Sequence, residues 1–293
     1  MKKLFIIMVL TVFVSCDAKT DGPVMPPEQE SGELVPINIA LSVETRATDI
    51  AYEAGDKVGI YVSYNESLYS KGNYVDNQCF ILTDTAWTSY NKIYWADQTA
   101  KADFYCYYPY VVMEDARAFQ FNVKSDQSVI DDYKSSDFLW GKTDNVFPST
   151  AAVPIRTAHI MSKILLYLKA GDGFSDKEFA AANKSVKMSG LKTNSTIDIS
   201  SGSVNAIGED GEMIPYWTGE HYEALVVPQS ISAENNLIIV TIGNDIYTLA
   251  KEFVFSSKTM HKLTVVVNKV SSSLDISIEN WISEDDEHVW EAD

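Results

Sequence analysis

Apolar residues in this chain recur mostly with a period of two. Ile37, Ile39, Leu41 and Val43 alternate with Asn38, Ala40 and Ser42, the pattern of a strand with one face buried. Val58, Ile60 and Val62 alternate after a Gly55-Asp56 turn. Lys92-Ile93-Tyr94-Trp95, Ala102 to Tyr108, Phe119 to Val123 and Phe138-Leu139-Trp140 continue the series. A polar stretch with two prolines, Thr143 to Pro154, interrupts it. Beyond it Ile160, Ile164, Leu166 and Leu168 restart the alternation, and Asp176 to Lys184 reads as a short helix or loop excursion. Strands resume at Leu225-Val226-Val227, Leu237 to Ile242, Phe253-Val254-Phe255, Lys262 to Val267 and Leu274 to Ile278. Short strands separated by Gly, Pro, Asn and Asp predict an all-β fold of two tandem β-sandwich domains, over 37–150 and 151–293.

The N-terminus follows another pattern. Met1-Lys2-Lys3 precedes an apolar run, Leu4 to Val14, broken only by Thr11 and closed by Ser15 and Cys16. A positive start, an apolar stretch and small residues at its end predict a secretory signal peptide over 1–15. The run is too short to cross roughly 30 Å of hydrocarbon, which takes about 20 residues. Phe13-Val14-Ser15-Cys16 resembles the lipobox of bacterial lipoproteins, with Phe13 where that pattern usually has Leu. Cys16 is therefore expected to carry lipid; the alternative is an ordinary signal peptide cut nearby. Residues 16–36, with four prolines and much charge, read as a flexible tether.

At 293 residues the chain can bury two cores. Its 23 basic against 41 acidic residues give a formal charge of -18, which sets aside nucleic acid as a partner, because phosphate binding needs basic surface. The 12% of aromatic residues, 16 of them tyrosine, suit strands rather than helices. After Cys16 only Cys79 and Cys106 remain. Both lie in strand-like runs, and they read as two buried thiols in preference to one bridge.

Catalytic and metal-binding patterns are missing. The chain has no Gly-x-x-x-x-Gly-Lys, Gly-x-Gly-x-x-Gly, His-Glu-x-x-His or Gly-x-Ser-x-Gly. His159, His221, His261 and His288 are scattered; His159 and His261 lie in strand patterns, where structural roles suit them better than ligand roles. Asp285-Asp286-Glu287 lacks the alternating ligand spacing of a calcium loop. No catalytic residue, metal or cofactor is expected. Tyr105, Tyr107, Tyr108 and Tyr110 with Pro109 form the densest aromatic cluster, read as core packing in preference to a sugar platform.

Several short segments, in order, resemble the fimbrillin family, the subunits of type V pili. They are Gly55-Asp56-Lys57-Val58-Gly59-Ile60-Tyr61-Val62, Asp103 to Tyr110, Asp137-Phe138-Leu139-Trp140-Gly141, His159 to Ile164, Val226-Val227-Pro228-Gln229 and Ile278-Glu279-Asn280-Trp281. The resemblance implies two transthyretin-like β-sandwich domains and export as a lipoprotein to the outer membrane. It also implies cleavage by an arginine-specific protease at the end of the first strand, where Arg46-Ala47 stands. Ser257-Lys258 replaces a glycine common before the last hairpin. Arginine scarcity adds weight to Arg46: only Arg46, Arg117 and Arg156 occur, so such a protease has few places to cut.

The preferred reading is a structural subunit of a cell-surface fimbrium, not an enzyme, with other pilus subunits as partners and a role in adhesion. In it, the strand carrying Ile37, Ile39, Leu41 and Val43 is displaced. A neighbour's C-terminal strand replaces it by donor-strand exchange, with Leu274, Ile276, Ile278, Trp281 and Ile282 as donor candidates. The competing reading is a monomeric surface glycan-binding lipoprotein, which would keep its first strand; a secreted hydrolase has no constellation to point to.

Overall fold

The computed structural model describes residues 34–44 and 52–282. Cys16, Arg46, Ala47 and the acidic run after Ile282 lie outside the described residues. The first half runs through β1 (Ile39–Val43), β2 (Lys57–Ser63), β3 (Val75–Leu82), β4 (Trp87–Thr88), β5 (Ala102–Tyr108) and β6 (Phe119–Asn122). Helix α1 (Ile130–Ser135), β7 (Leu139–Val146) and β8 (Val153–His159) follow. Then come β9 (Ser162–Ala170), α2 (Asp176–Ala181), β10 (Lys184–Leu191), β11 (Asn194–Asp198), β12 (Ser203–Ile207), β13 (Gly211–Met213) and β14 (Tyr216–Trp217). The chain continues with β15 (Tyr222–Val226), β16 (Gln229–Ile231), β17 (Asn236–Ile242), β18 (Asp245–Ala250), β19 (Phe253–Phe255), β20 (Thr259–Asn268) and β21 (Ser273–Ile282). The all-β expectation holds: among the described residues only two six-residue helices interrupt the strands. The excursion at 176 is a helix because Ser175 and Glu178 form a reciprocal capping box.

Seven strands make one sheet in the order β1-β8-β7-β5-β2-β3-β4. Its ends are drawn together by residues flanking the outer strands. Ile37 N–H donates to the Ile93 carbonyl at 2.9 Å, and Trp95 N–H to that of Val35 at 3.0 Å. Val35 and Pro36, expected to belong to the tether, are thus already bound to the fold. The second half holds a five-stranded sheet, β14-β15-β9-β20-β21, and a four-stranded one, β13-β10-β17-β18. The expected boundary at 150/151 falls between β7 and β8, which pair antiparallel at Leu139↔His159, Trp140↔Ala158 and Gly141↔Thr157. The first sheet therefore continues to His159. β6 also pairs with β11 across the two halves.

The centre of the seven-stranded sheet is apolar on both faces, which is why β2 and β5 are buried along almost their whole length, while β1 and β8 keep a solvent face. Val58, Ile60, Phe104 and Cys106 point into a core shared with Ile37, Ile39, Val153 and Ile155. Tyr61, Tyr105 and Tyr107 point the other way, into a core with Phe119, Phe138 and the second half's Ile164, Leu166 and Val265. Alternation along one strand thus supplies two cores at once. The aromatic cluster is core, as expected: Tyr105 and Tyr107 are fully buried. Gly59 is required by the second of them, since a Cβ there would lie 2.0 Å from a Tyr107 ring carbon.

Candidate strand-exchange groove

β1 sits at the edge of its sheet and has β8 as its ladder partner, while residues 35–37 just before it bond to 93–95. β1 runs parallel to β8 over five register positions, Ile39↔Val153 to Val43↔Thr157. Flanking bonds extend the ladder: Val153 N–H donates to the Asn38 carbonyl at 2.8 Å, and Glu44 N–H to that of Thr157 at 2.7 Å. Ile37 and Ile39 are 5% and 6% exposed, while Leu41 and Val43 are half-buried and Asn38, Ala40 and Ser42 face solvent. The predicted alternation is therefore observed, with burial deepest at its start.

β1 lies in a groove lined by Val153 and Ile155 of the adjoining β8, with Cys106 of β5 in the same cluster. Its far end is polar. Thr157, fully buried, donates its hydroxyl to the Ser42 carbonyl at 3.2 Å and lies 2.8 Å from the Tyr52 hydroxyl. The Tyr52 ring stands edge-on to Trp87 and Tyr108, with centroids 5.0 and 5.8 Å away. Burial pushes the Tyr52 phenol far up, so it remains a proton donor at any physiological pH. Arg46 and Ala47, outside the described residues, fall in sequence between Ser42 and Tyr52.

At the other end of the chain, β21 is also an edge strand, but a firmly paired one. It forms an antiparallel hairpin with β20 over ten positions, Thr259↔Ile282 to Asn268↔Ser273. Leu274 is 6% exposed, and Ile276 and Ile278 pack half-buried on the larger core. Trp281 and Ile282 continue the strand opposite Met260 and Thr259. These five candidates lie together on one strand, and donation by any of them requires the hairpin to open.

The remaining candidates sort by contact. Cys79 and Cys106 are free thiols; β2 runs between their strands, pairing Gly59 with Cys79 and Ile60 with Cys106. His159 is buried with Nδ1 2.5 Å from an Asp137 oxygen. His261 is buried between the rings of Phe253 and Phe255, and His221 stacks on Tyr167 with centroids 4.5 Å apart. Among the described residues no group of His, Cys, Asp and Glu is arranged to hold a metal ion. Thr157 and Tyr52 escape a reading by motifs, because only the fold brings them together.

Comparison with known proteins places this geometry. A family model described as fimbrillin-like matches residues 45–281. The chain belongs to the fimbrillin-like family. It is 23% identical to a Bacteroides uniformis protein designated fimbrium subunit Fim1C, over 96% of this chain and 95% of that one. Among solved structures, one designated a cell adhesion protein from Bacteroides uniformis superposes with a TM-score of 0.67 at 19% identity, covering 86% of this chain and 99% of that one. A second, from Bacteroides ovatus, gives 0.66 at 20% identity with the same coverage. A fimbrial protein from Bacteroides vulgatus gives 0.55 at 13%, covering 84% and 98%. At these identities the structures establish the fold.

The fimbrillin-like segments have structural work in this chain. Gly59 makes room for Tyr107, whose hydroxyl bonds the Asn77 side chain at 2.7 Å and the Val111 carbonyl at 2.8 Å. Asp137 and His159 join two of the segments across the β7–β8 pair. Trp140 Nε1 donates to the Ile199 carbonyl at 2.7 Å, and Gln229 makes paired side-chain bonds, each 2.9 Å, to the Lys192 backbone. Lys258, at the position where glycine is common, takes a φ of 61°.

Proposed function

We propose that this chain is a structural subunit of a cell-surface fimbrium that polymerises by replacing β1 with a strand from a neighbouring subunit. The observation that carries the reading is the edge position of β1, with Ile39 and the preceding Ile37 buried in a core cluster shared with Val153 and Ile155 of the adjoining β8. Membership of the fimbrillin-like family supports it. In this reading the precursor is exported, anchored to the outer membrane by lipid on Cys16, and cut after Arg46 by an arginine-specific protease.

Departure of β1 bares the outer backbone edge of β8 and the cleft left by Ile37 and Ile39. Two buried aliphatic side chains are worth roughly 3–6 kcal/mol as an upper estimate, and an open strand edge recruits another chain. β-Augmentation by a neighbour's C-terminal segment closes it. Because donor and acceptor surfaces differ, the contact does not close on itself and propagates into a fibre. Leu274, Ile276 and Ile278 donate only if the β20–β21 hairpin opens; residues 283–293 donate with β21 left in place, and we favour these, with Trp281 and Ile282 at their root.

The test is Arg46→Ala in the full chain, alongside a truncation after Ile282. Arg46→Ala leaves a folded monomer and no detergent-resistant polymer ladder. A ladder equal to the parent's would refute cleavage-driven exchange. A ladder surviving the truncation alone would return the donor role to Leu274–Ile282.

A further inference from the structure

Thr157 holds both sides of the predicted cleavage segment. Its single hydroxyl proton is directed at the Ser42 carbonyl, 3.2 Å away. The 2.8 Å contact with Tyr52 must therefore use the tyrosine proton, with Thr157 Oγ1 as acceptor. The result is a relay, Tyr52 O–H to Thr157 O–H to Ser42 C=O, buried at the C-terminal end of β1. Ser42 precedes Arg46 and Tyr52 follows Ala47. The Thr157 carbonyl adds a third tie, accepting from Glu44 N–H at 2.7 Å.

We propose that Thr157 and Tyr52 form a hydroxyl latch that retains β1 in the precursor and, after cleavage, passes its hydrogen bond to a backbone carbonyl of the replacing strand. The second half of the proposal rests on the strand-exchange reading; the first does not. Three features favour a latch over incidental packing. A buried hydroxyl at this depth must be satisfied, and the Ser42 carbonyl it uses belongs to the strand expected to leave. A cut between Arg46 and Ala47 severs β1 from Tyr52 but leaves Tyr52 attached to the subunit, its ring held by Trp87 and Tyr108. Loss of Ser42 would leave the Thr157 hydroxyl to water, and a strand that then covers it without offering an acceptor would bury it unsatisfied, so the groove favours an occupant with a carbonyl at that level. That condition selects a strand in the register of β1 and disfavours one slipped by a residue.

The variants are Thr157→Val, which keeps the shape and deletes the hydroxyl, Thr157→Ser, which restores it, and Tyr52→Phe. Hydrogen exchange of the residue 39–44 amides is measured first, in the uncleavable Arg46→Ala full chain. Thr157→Val is expected to speed it by about 3- to 10-fold, the size of one net hydrogen bond. Tyr52→Phe should have a smaller effect in the same direction, and Thr157→Ser none. Exchange at the parent rate in Thr157→Val, or equal acceleration in Thr157→Ser, overturns the latch. The same substitutions are then made in the cleavable chain, and polymers are heated in detergent. Dissociation of Thr157→Val polymer at a lower temperature than both parent and Thr157→Ser supports transfer to the incoming strand. Equal dissociation temperatures overturn transfer and leave the precursor latch standing. If the cleaved parent forms no polymer, strand exchange and transfer fail together, and the exchange rates still decide the latch in the precursor.

Discussion

β1 and β21 are both edge strands with alternating apolar residues, yet the fold holds them very differently. β1 has five ladder positions against β8 and is reached through a connection that includes the Arg46 segment. β21 has ten against β20 and is joined to it by residues 269–272 alone, so closing the hairpin costs little chain entropy. β20 is itself clamped on its other side by eight parallel positions with β9. Equal sequence patterns therefore conceal unequal attachment. β1 itself has a short ladder on one side, and the backbone bonds of residues 35–37 to 93–95 add to it; under the proposed exchange, a single cut after Arg46 would leave it held by such contacts alone.

The largest expected effect comes from deleting each strand in turn. A chain ending at Asn268 bares β20 and uncovers the core beneath Leu274; it should lose its cooperative thermal transition and become insoluble. A chain beginning at Ala47 should remain folded, with Tm lowered by roughly 6–20 °C, the equivalent of two buried isoleucines in a protein of this size. If both deletions behave alike, the contrast between the strands is broken.

Cys106 sharpens the comparison without altering the fold. Its thiol is fully buried in the core cluster that Ile37 and Ile39 join, and burial pushes its pKa well above the ordinary thiol value. Half-buried Cys79 is an internal reference. Cleavage at Arg46 followed by loss of β1 should raise the Cys106 labelling rate at least ~10-fold relative to Cys79, because the opening that limits access becomes permanent. An unchanged ratio would mean that β1 stays in place after the cut.

A smaller effect separates the two regions by pH. In the second half, Glu223 receives bonds from Tyr133 at 2.7 Å and His221 at 2.9 Å, with the Lys163 ammonium 3.6 Å away. Burial alone would raise its pKa, but the lysine charge and these bonds outweigh that and hold it below the usual 4.5. A depressed carboxyl stabilises the fold fully above its unfolded value and loses that contribution as pH falls through the folded value. Thermal stability should therefore drop below about pH 4.5, and Glu223→Gln should flatten that acid limb. The hydroxyl clasp on β1 does not titrate in this range, so protection of residues 39–44 should be indifferent to the same change until global unfolding.

Much of this was legible in the sequence where one face is buried and the other wet. β1, β20 and β21 announce themselves by strict alternation, and β2 and β5 by runs rich in β-branched and aromatic residues. β8 was hidden. Pro154 and Arg156 occupy its solvent face, and the proline beside a polar stretch reads as the end of a linker rather than the start of a strand. β10 to β14 were missed because polar residues fill much of them, as in β12, where no residue is fully buried. Alternation places Leu274, Ile276 and Ile278 on one strand, which in the structure runs on through Trp281 and Ile282, but alternation cannot tell whether that strand already has a partner. The Thr157 relay had no local signal at all, since a threonine acquires such a role only from what the fold sets against it.

The central claim is that β1 is absent from the assembled fibre. Polymer extracted from the cell surface, dissociated by heating, should begin at Ala47 on N-terminal sequencing, and mass spectrometry of its digest should find no peptide covering Ile37 to Val43. Stoichiometric recovery of that peptide from washed polymer would contradict the account.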